Sequence, residues 1–107
     1  MRQYTTKEQT QHFIELGFPK PQTVINEYKI LEASPYAPIE FEYTYSIGEL
    51  IEFLGNRLMG IKLMETYEVY AYKKTNDIEY VDWIIKKGEL IDALYEACVE
   101  LKKDGAI

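Results

Sequence analysis

Between Ile61 and Lys87 the side chains alternate so regularly that few backbone conformations remain open. Tyr67, Val69 and Ala71 interleave with Glu68, Tyr70 and Tyr72, and Val81, Trp83 and Ile85 repeat the spacing further on. β-Branched and aromatic residues at period two are the pattern of strands. The two runs are separated by Lys74-Thr75-Asn76-Asp77, whose Asn and Asp accept the left-handed backbone of a tight turn. A two-residue loop at Asn76-Asp77 sets Lys74 opposite Glu79, Tyr72 opposite Val81, Tyr70 opposite Trp83 and Glu68 opposite Ile85. A slip by one residue would oppose Lys74 to Ile78 and scatter the aromatics between faces, so the first register is expected. The stretch 61–87 thus reads as one long hairpin whose first strand begins as early as Ile61, with a bulge near Glu65-Thr66.

The flanking segments read mainly as helices. Thr5 and Glu8 stand three apart as in a capping box, predicting a helix over about 6–16. Gly17 suits the left-handed position after its last turn, Phe18 can pack back on Phe13, and Pro19 and Pro21 stop the helix. Ser46 and Glu49 form a second box ahead of a helix over 47–54, with Tyr45 stapled to Leu50 and Gly55 as its end. A third helix follows Gly88 over about 89–103, burying Leu90, Leu94, Ala97, Cys98 and Leu101. It presents an acidic stripe of Glu89, Asp92, Glu96 and Glu100. Gly105 is its stop.

Residues 23–33 fit a helix about as well as a strand, and a short helix giving way to an extended piece is the reading adopted. Ser34-Pro35-Tyr36-Ala37-Pro38 reads as a loop whose Pro spacing matches a polyproline ligand, without the basic flank such ligands use. Ile39, Phe41, Tyr43 and Tyr45 alternate with Glu40, Glu42 and Thr44, predicting a half-buried strand over 39–45 with its apolar face inward and its acidic face in water. The expected architecture is α+β, one domain over 1–107. It has a small antiparallel sheet of about three strands, made from the 61–87 hairpin plus strand 39–45, packed by the three helices.

Composition narrows function by exclusion. A net charge of −6 argues against direct nucleic-acid binding, which depends on neutralising phosphates. One cysteine excludes an internal disulfide and fits a reducing, cytoplasmic setting. The first residues, Met1-Arg2-Gln3-Tyr4-Thr5-Thr6, carry no apolar leader, and no stretch is long enough to span a bilayer. Cys98, on the apolar side of the last helix and without a basic neighbour, reads as a packing residue. His12 stands alone, so a histidine-based metal site would need several carboxylates. The six glycines are isolated and form no phosphate loop. The sequence therefore nominates no catalytic residue, no metal site and no cofactor.

What it does offer is tyrosine, ten in 107 residues. Aromatics are enriched at interface cores. Tyr43, Tyr70, Tyr72 and Trp83 are accordingly the candidate binding residues of a small acidic interaction domain that docks another protein or a second copy of itself. Two alternatives stand beside this one. The acidic stripe would suit a decoy for a nucleic-acid-binding protein, and the tyrosines, carboxylates and His12 would suit an unrecognised ligand or enzyme site.

Tyr4-Thr5-Thr6, Leu16-Gly17, Tyr45-Ser46-Ile47-Gly48-Glu49-Leu50-Ile51-Glu52 and Leu90-Ile91-Asp92-Ala93-Leu94-Tyr95-Glu96 together resemble a family of short uncharacterised bacterial and phage-associated proteins. These run from a capped first helix through an aromatic-Ser-x-Gly-x-Leu helix start to a terminal Ile-Asp-Ala helix. The stretch from Ile25 to Phe41 departs most from that pattern. The resemblance implies an intracellular protein, with a mobile element as its setting, and brings no assigned activity or site residues.

Overall fold

The computed structural model describes residues 1–29, 39–75 and 78–107. In chain order it contains helix α1 (Lys7–Glu15), strands β1 (Thr23–Lys29) and β2 (Ile39–Thr44), helix α2 (Ile47–Leu54), a single 3-10 turn (Gly55–Arg57), strands β3 (Leu58–Leu63), β4 (Tyr67–Thr75) and β5 (Ile78–Lys87), and helix α3 (Leu90–Lys103). The fold is α+β with antiparallel pairing throughout.

The strands divide between two sheets. A three-stranded sheet exists, in the order β3-β4-β5, but strand 39–44 does not belong to it. β2 pairs with β1 in a separate two-stranded ribbon. Thr23–Lys29 is therefore a strand, not the short helix expected there. A partner strand satisfies its backbone groups, and β-branched Thr23, Val24 and Ile25 favour the pleated conformation. The expected loop over 34–38 lies outside the described residues.

The stretch 61–87 is likewise not one hairpin. Its first part is the end of β3, and the chain turns back at Met64-Glu65-Thr66 where a bulge was expected, with Leu63 opposite Tyr67. The expected two-residue loop at Asn76-Asp77 lies outside the described residues, and beside it the expected register holds, Lys74 opposite Glu79 and Tyr72 opposite Val81. A bulge then shifts it by one, so that Ala71, not Tyr70, stands opposite Trp83, and Glu68 stands opposite Lys86, not Ile85. The reason is visible in the sequence of β5. An unbroken register would set Asp82 opposite Ala71, which is fully buried, and Ile85 opposite Glu68 on the other face. One extra residue on β5 moves Ile85 opposite buried Val69 and gives Glu68 a lysine, with Nζ 3.4 Å from its carboxylate.

Capping fixes the helices. Both α1 and α2 open with reciprocal boxes, but the one on α1 uses Thr6 and Gln9, one residue beyond the expected Thr5 and Glu8. Thr5 is committed elsewhere, as described below. At the other end of α1 the Schellman pair is complete. Phe18 N–H donates to Phe13 O at 3.1 Å, Gly17 N–H donates to Ile14 O at 3.1 Å, and Gly17 has φ 90°. Phe13 and Phe18 rings pack with centroids 4.5 Å apart. Asp104 to Ala106 end α3 in the same way, with Ala106 N–H bonded to Leu101 O.

α3 is the centre of the core. Ile91, Ala93, Leu94, Ala97, Cys98, Val99 and Leu101 are all buried, a wider set than one helix face, because α2 packs on one side and β4–β5 on another. Leu90, expected inside, is only half-buried, and Ile91 takes its place. Phe13 is the aromatic hub, with ring contacts to Phe18, Tyr45, Phe53 and Tyr95 at 4.5–6.4 Å. The molecule is elongated, 59 Å along its major axis. Its radius of gyration is 16.7 Å, against about 13 Å for a compact chain of this length.

Candidate functional site

The ribbon β1–β2 inverts the expectation made for strand 39–45 at Phe41 to Thr44, while Tyr45 is buried as expected. Phe41 and Tyr43, expected to face a core, are each 46% exposed, while Glu42 and Thr44 on the opposite face are half-buried and buried. The cause lies in what the ribbon packs against. Its polar face, not its apolar one, turns to α1, where charge and hydroxyl groups are waiting.

At the ribbon's base three threonine hydroxyls converge. Thr5 Oγ1 lies 2.7 Å from Thr10 Oγ1 and 3.0 Å from Thr44 Oγ1, and Thr10 and Thr44 are 3.3 Å apart, all three buried. Thr44 Oγ1 also donates to Thr5 O at 3.0 Å, and Tyr45 N–H donates to Thr5 Oγ1 at 3.3 Å. Thr5 comes from the N-terminal segment, Thr10 from α1 and Thr44 from β2, so one small network ties three segments together. Further out Glu42 accepts from Asn26 Nδ2 at 3.1 Å and lies 3.9 Å from Lys7 Nζ. At the ribbon's start Glu49 accepts from Gln22 N–H and from the Thr23 hydroxyl, which fixes β1 to the first turn of α2.

Beside α1 the ribbon borders an open groove of about 510 Å³, lined by Thr5, Thr10, Gln11, Ile25, Tyr43 and Thr44. A second hollow of about 570 Å³ continues past Tyr43 along Ile14, Pro21 and Gln22. Tyr43 lines both. On the outward face Val24 stands opposite Tyr43 and is 46% exposed, and Phe41 and Tyr43 rings lie 6.3 Å apart. With Ile14 exposed on the neighbouring helix, these side chains leave apolar surface open to water beside a polar groove.

The four candidate aromatics do not form one face. Tyr43 is on the ribbon, whereas Tyr70, Tyr72 and Trp83 are on the three-stranded sheet, where Tyr70 and Tyr72 share the face turned from Val69 and Ala71. Trp83 is placed by its backbone pairing with Ala71, and its side chain is not among those described. Tyr70 is already engaged. Its hydroxyl donates to Glu68 Oε2 at 2.5 Å, which lowers the Glu68 carboxyl and raises the Tyr70 phenol from their usual ranges. Sequence reasoning missed Val24 and Ile14. The alternation Val24-x-Asn26 was no guide, because the extra residue at Ile25 breaks it.

Most of the remaining candidate groups have partners within the chain. His12 is half-buried, with Nδ1 2.5 Å from the Tyr95 hydroxyl. The acidic stripe of α3 is largely engaged. Asp92 binds the Arg2 guanidinium and accepts from Gln9, Glu89 accepts from Arg2 N–H, and Glu96 lies 2.8 Å from Lys87 Nζ. Among the described residues no three His, Cys, Asp or Glu side chains gather as metal ligands would, and no helix is long and apolar enough to cross a membrane.

Cys98 is fully buried, its Sγ 3.6 Å from Leu50 O, and burial pushes its thiol up to about 12. A thiol held protonated in this way is a poor nucleophile. Native protein is therefore expected to react with Ellman-type reagents only as fast as it unfolds. The same shift makes stability depend on alkali. A group whose pKa is raised by folding contributes stability that is fully present below its unfolded value, near 9, and lost as pH rises toward 12. Melting temperature should fall across that window and fall less steeply in Cys98→Ala. The residual slope includes Tyr45 and Tyr95, both raised by burial, Tyr70, raised by its bond to Glu68, and Lys87, raised by its bond to Glu96.

The fold and this surface define a small α+β domain with a projecting, partly apolar ribbon. No family model, curated protein or solved structure matches the chain.

Proposed function

We propose that the chain is a small intracellular protein-binding domain that docks its partner on the outward face of the β1–β2 ribbon. The observation that supports this most is the inversion of β2. A strand with one apolar and one acidic face has its apolar face, Phe41 and Tyr43, turned to water. Exposed aromatics on a fixed backbone lose little conformational freedom on binding and are frequent anchors of interfaces. The charge of −6 suits a protein partner better than a nucleic acid. The buried, unpaired Cys98 fits a reducing compartment such as the cytoplasm. The acidic-decoy reading is less well supported, because three of its four carboxylates already hold Arg2, Gln9 or Lys87.

The test is affinity capture from lysate of the source organism with wild type and with Phe41→Ser/Tyr43→Ser, washed at low and high salt. A stoichiometric partner kept by wild type through both washes and lost by the variant is expected, since an apolar contact resists salt. Equal capture by both proteins would remove the ribbon from the interface. A partner lost only at high salt would favour the acidic stripe.

A further inference from the structure

The ribbon is joined to the rest of the molecule almost without apolar contact. β1 and β2 pack chiefly on each other, and among the described residues no side chain from Pro19 to Thr44 belongs to the hydrophobic core, which passes from Phe18 to Tyr45. What holds the ribbon is polar and lies at its base. At the β1 corner the Glu49 carboxylate accepts from Gln22 N–H at 3.2 Å and from the Thr23 hydroxyl, and it also takes Ser46 N–H in capping α2. At the β2 corner Thr44 meets Thr5 and Thr10 in the buried hydroxyl network. Beyond these corners Lys7 stands 3.9 Å from Glu42 with its own side chain 85% exposed, an ion pair that contributes little.

We infer that the β1–β2 ribbon is a hinged flap seated against α1, which opens as one unit while α1, α2, α3 and the three-stranded sheet stay folded. Its hinges are the two corners, Gln22-Thr23 and Thr44-Tyr45. The body is complete without it, because the Phe13 aromatic cluster and the buried side of α3 draw nothing from the described ribbon residues. The ribbon is not complete without the body. A two-stranded ribbon lacking a third strand or a packed apolar face is marginal in water, so it keeps its pairing only while both corners are anchored. Opening parts Thr44 from Thr10 and Glu42 from Lys7, and it widens the groove that these residues line. On the docking reading above, a partner resting on both Tyr43 and Ile14 holds the flap shut, so binding is coupled to flap order. The flap itself does not depend on that reading.

Native-state hydrogen exchange of the whole chain without a partner, followed by NMR at increasing sub-denaturing urea, tests the inference. The ladder amides of β1 and β2 are expected to share one opening, about a hundredfold more frequent than that of the α3 amides and less dependent on urea, as befits a subglobal unit. Glu49→Gln keeps a residue able to complete the capping box of α2 but removes one of the two acceptor oxygens at the β1 corner. It should speed exchange about tenfold in β2 as well as β1 and leave α2 and α3 unchanged. Ribbon amides that exchange only together with those of α3 would overturn the inference. Protection that falls off gradually from Lys29 and Ile39 toward the base would show fraying instead of a hinged unit, and a Glu49→Gln effect confined to β1 would remove the coupling between the corners. Because no partner enters the experiment, its failure leaves the docking reading standing.

Discussion

Phe13→Ala is expected to cost about 3–5 kcal/mol in denaturant unfolding, the range for truncating a fully buried phenylalanine. The ring is 0% exposed and touches four other aromatics contributed by the α1 terminus, Tyr45, α2 and α3. Its removal leaves a cavity that no single neighbour can fill, because each is held by its own partner. The Tyr45 hydroxyl donates to Pro19 O at 2.6 Å, and Tyr95 is held by His12. Phe13 also supplies the carbonyl that closes the Schellman turn, so the shift in packing reaches Gly17 and Phe18. Against a typical domain stability of roughly 5–15 kcal/mol this is a large fraction. A measured loss below 1 kcal/mol would show that the aromatic cluster is peripheral.

Thr44→Val should lower stability by about 1–3 kcal/mol, although the substitution keeps the shape of the side chain. The hydroxyl it removes donates to Thr5 O and lies within hydrogen-bond distance of both other threonine hydroxyls, in a site closed to water. Buried polar groups left without a partner carry their full desolvation cost. The effect should also be local. Thr44 is the last residue of β2, so the amides of Thr23–Asn26 and Phe41–Thr44 should exchange faster while those of β4 and α3 keep their protection. Thr44→Ser, which restores the hydroxyl, should recover most of the loss. Equal behaviour of the valine and serine variants would assign the effect to packing alone.

Local signals in this chain were legible, as was the pairing of Lys74 with Glu79 and Tyr72 with Val81, whereas the pairing of strand 23–29 with strand 39–44 was not. Ser46-x-x-Glu49 and Gly17-Phe18 declare a helix start and a helix stop within a few residues, and both stand as read. Thr5-Thr6-Lys7-Glu8-Gln9 contains two overlapping boxes. Only the hydroxyl network through Thr10 and Thr44, distant in sequence from one another, decides that Thr6 caps and Thr5 is buried. Alternation in 39–45 identifies a strand but says nothing of its neighbour. Residues 23–29, lacking clear periodicity, concealed that neighbour. The bend at Met64-Glu65-Thr66 carries no Gly, Asn or Pro to mark it.

The candidate surface was half legible for the same reason. Tyr43 was identifiable from its residue type and its strand. Whether its face looks to solvent depends on which side α1 takes, and that is settled by Lys7, Thr10 and the polar side of β2. Tyr70 carries the same residue type but gives its hydroxyl to Glu68 within its own strand. Residue type alone does not separate an exposed tyrosine from one engaged within the fold.

The claim at the centre of this account is that the ribbon's outward face receives a partner protein. The most direct measurement is site-resolved amide and side-chain NMR of the labelled chain, free and saturated with the protein it captures. Binding on the ribbon predicts shifts and slowed exchange centred on Val24, Phe41, Tyr43 and Ile14, with α3 and the β3 edge unchanged. Perturbation concentrated on α3 or the three-stranded sheet, with the ribbon unaffected, would contradict it.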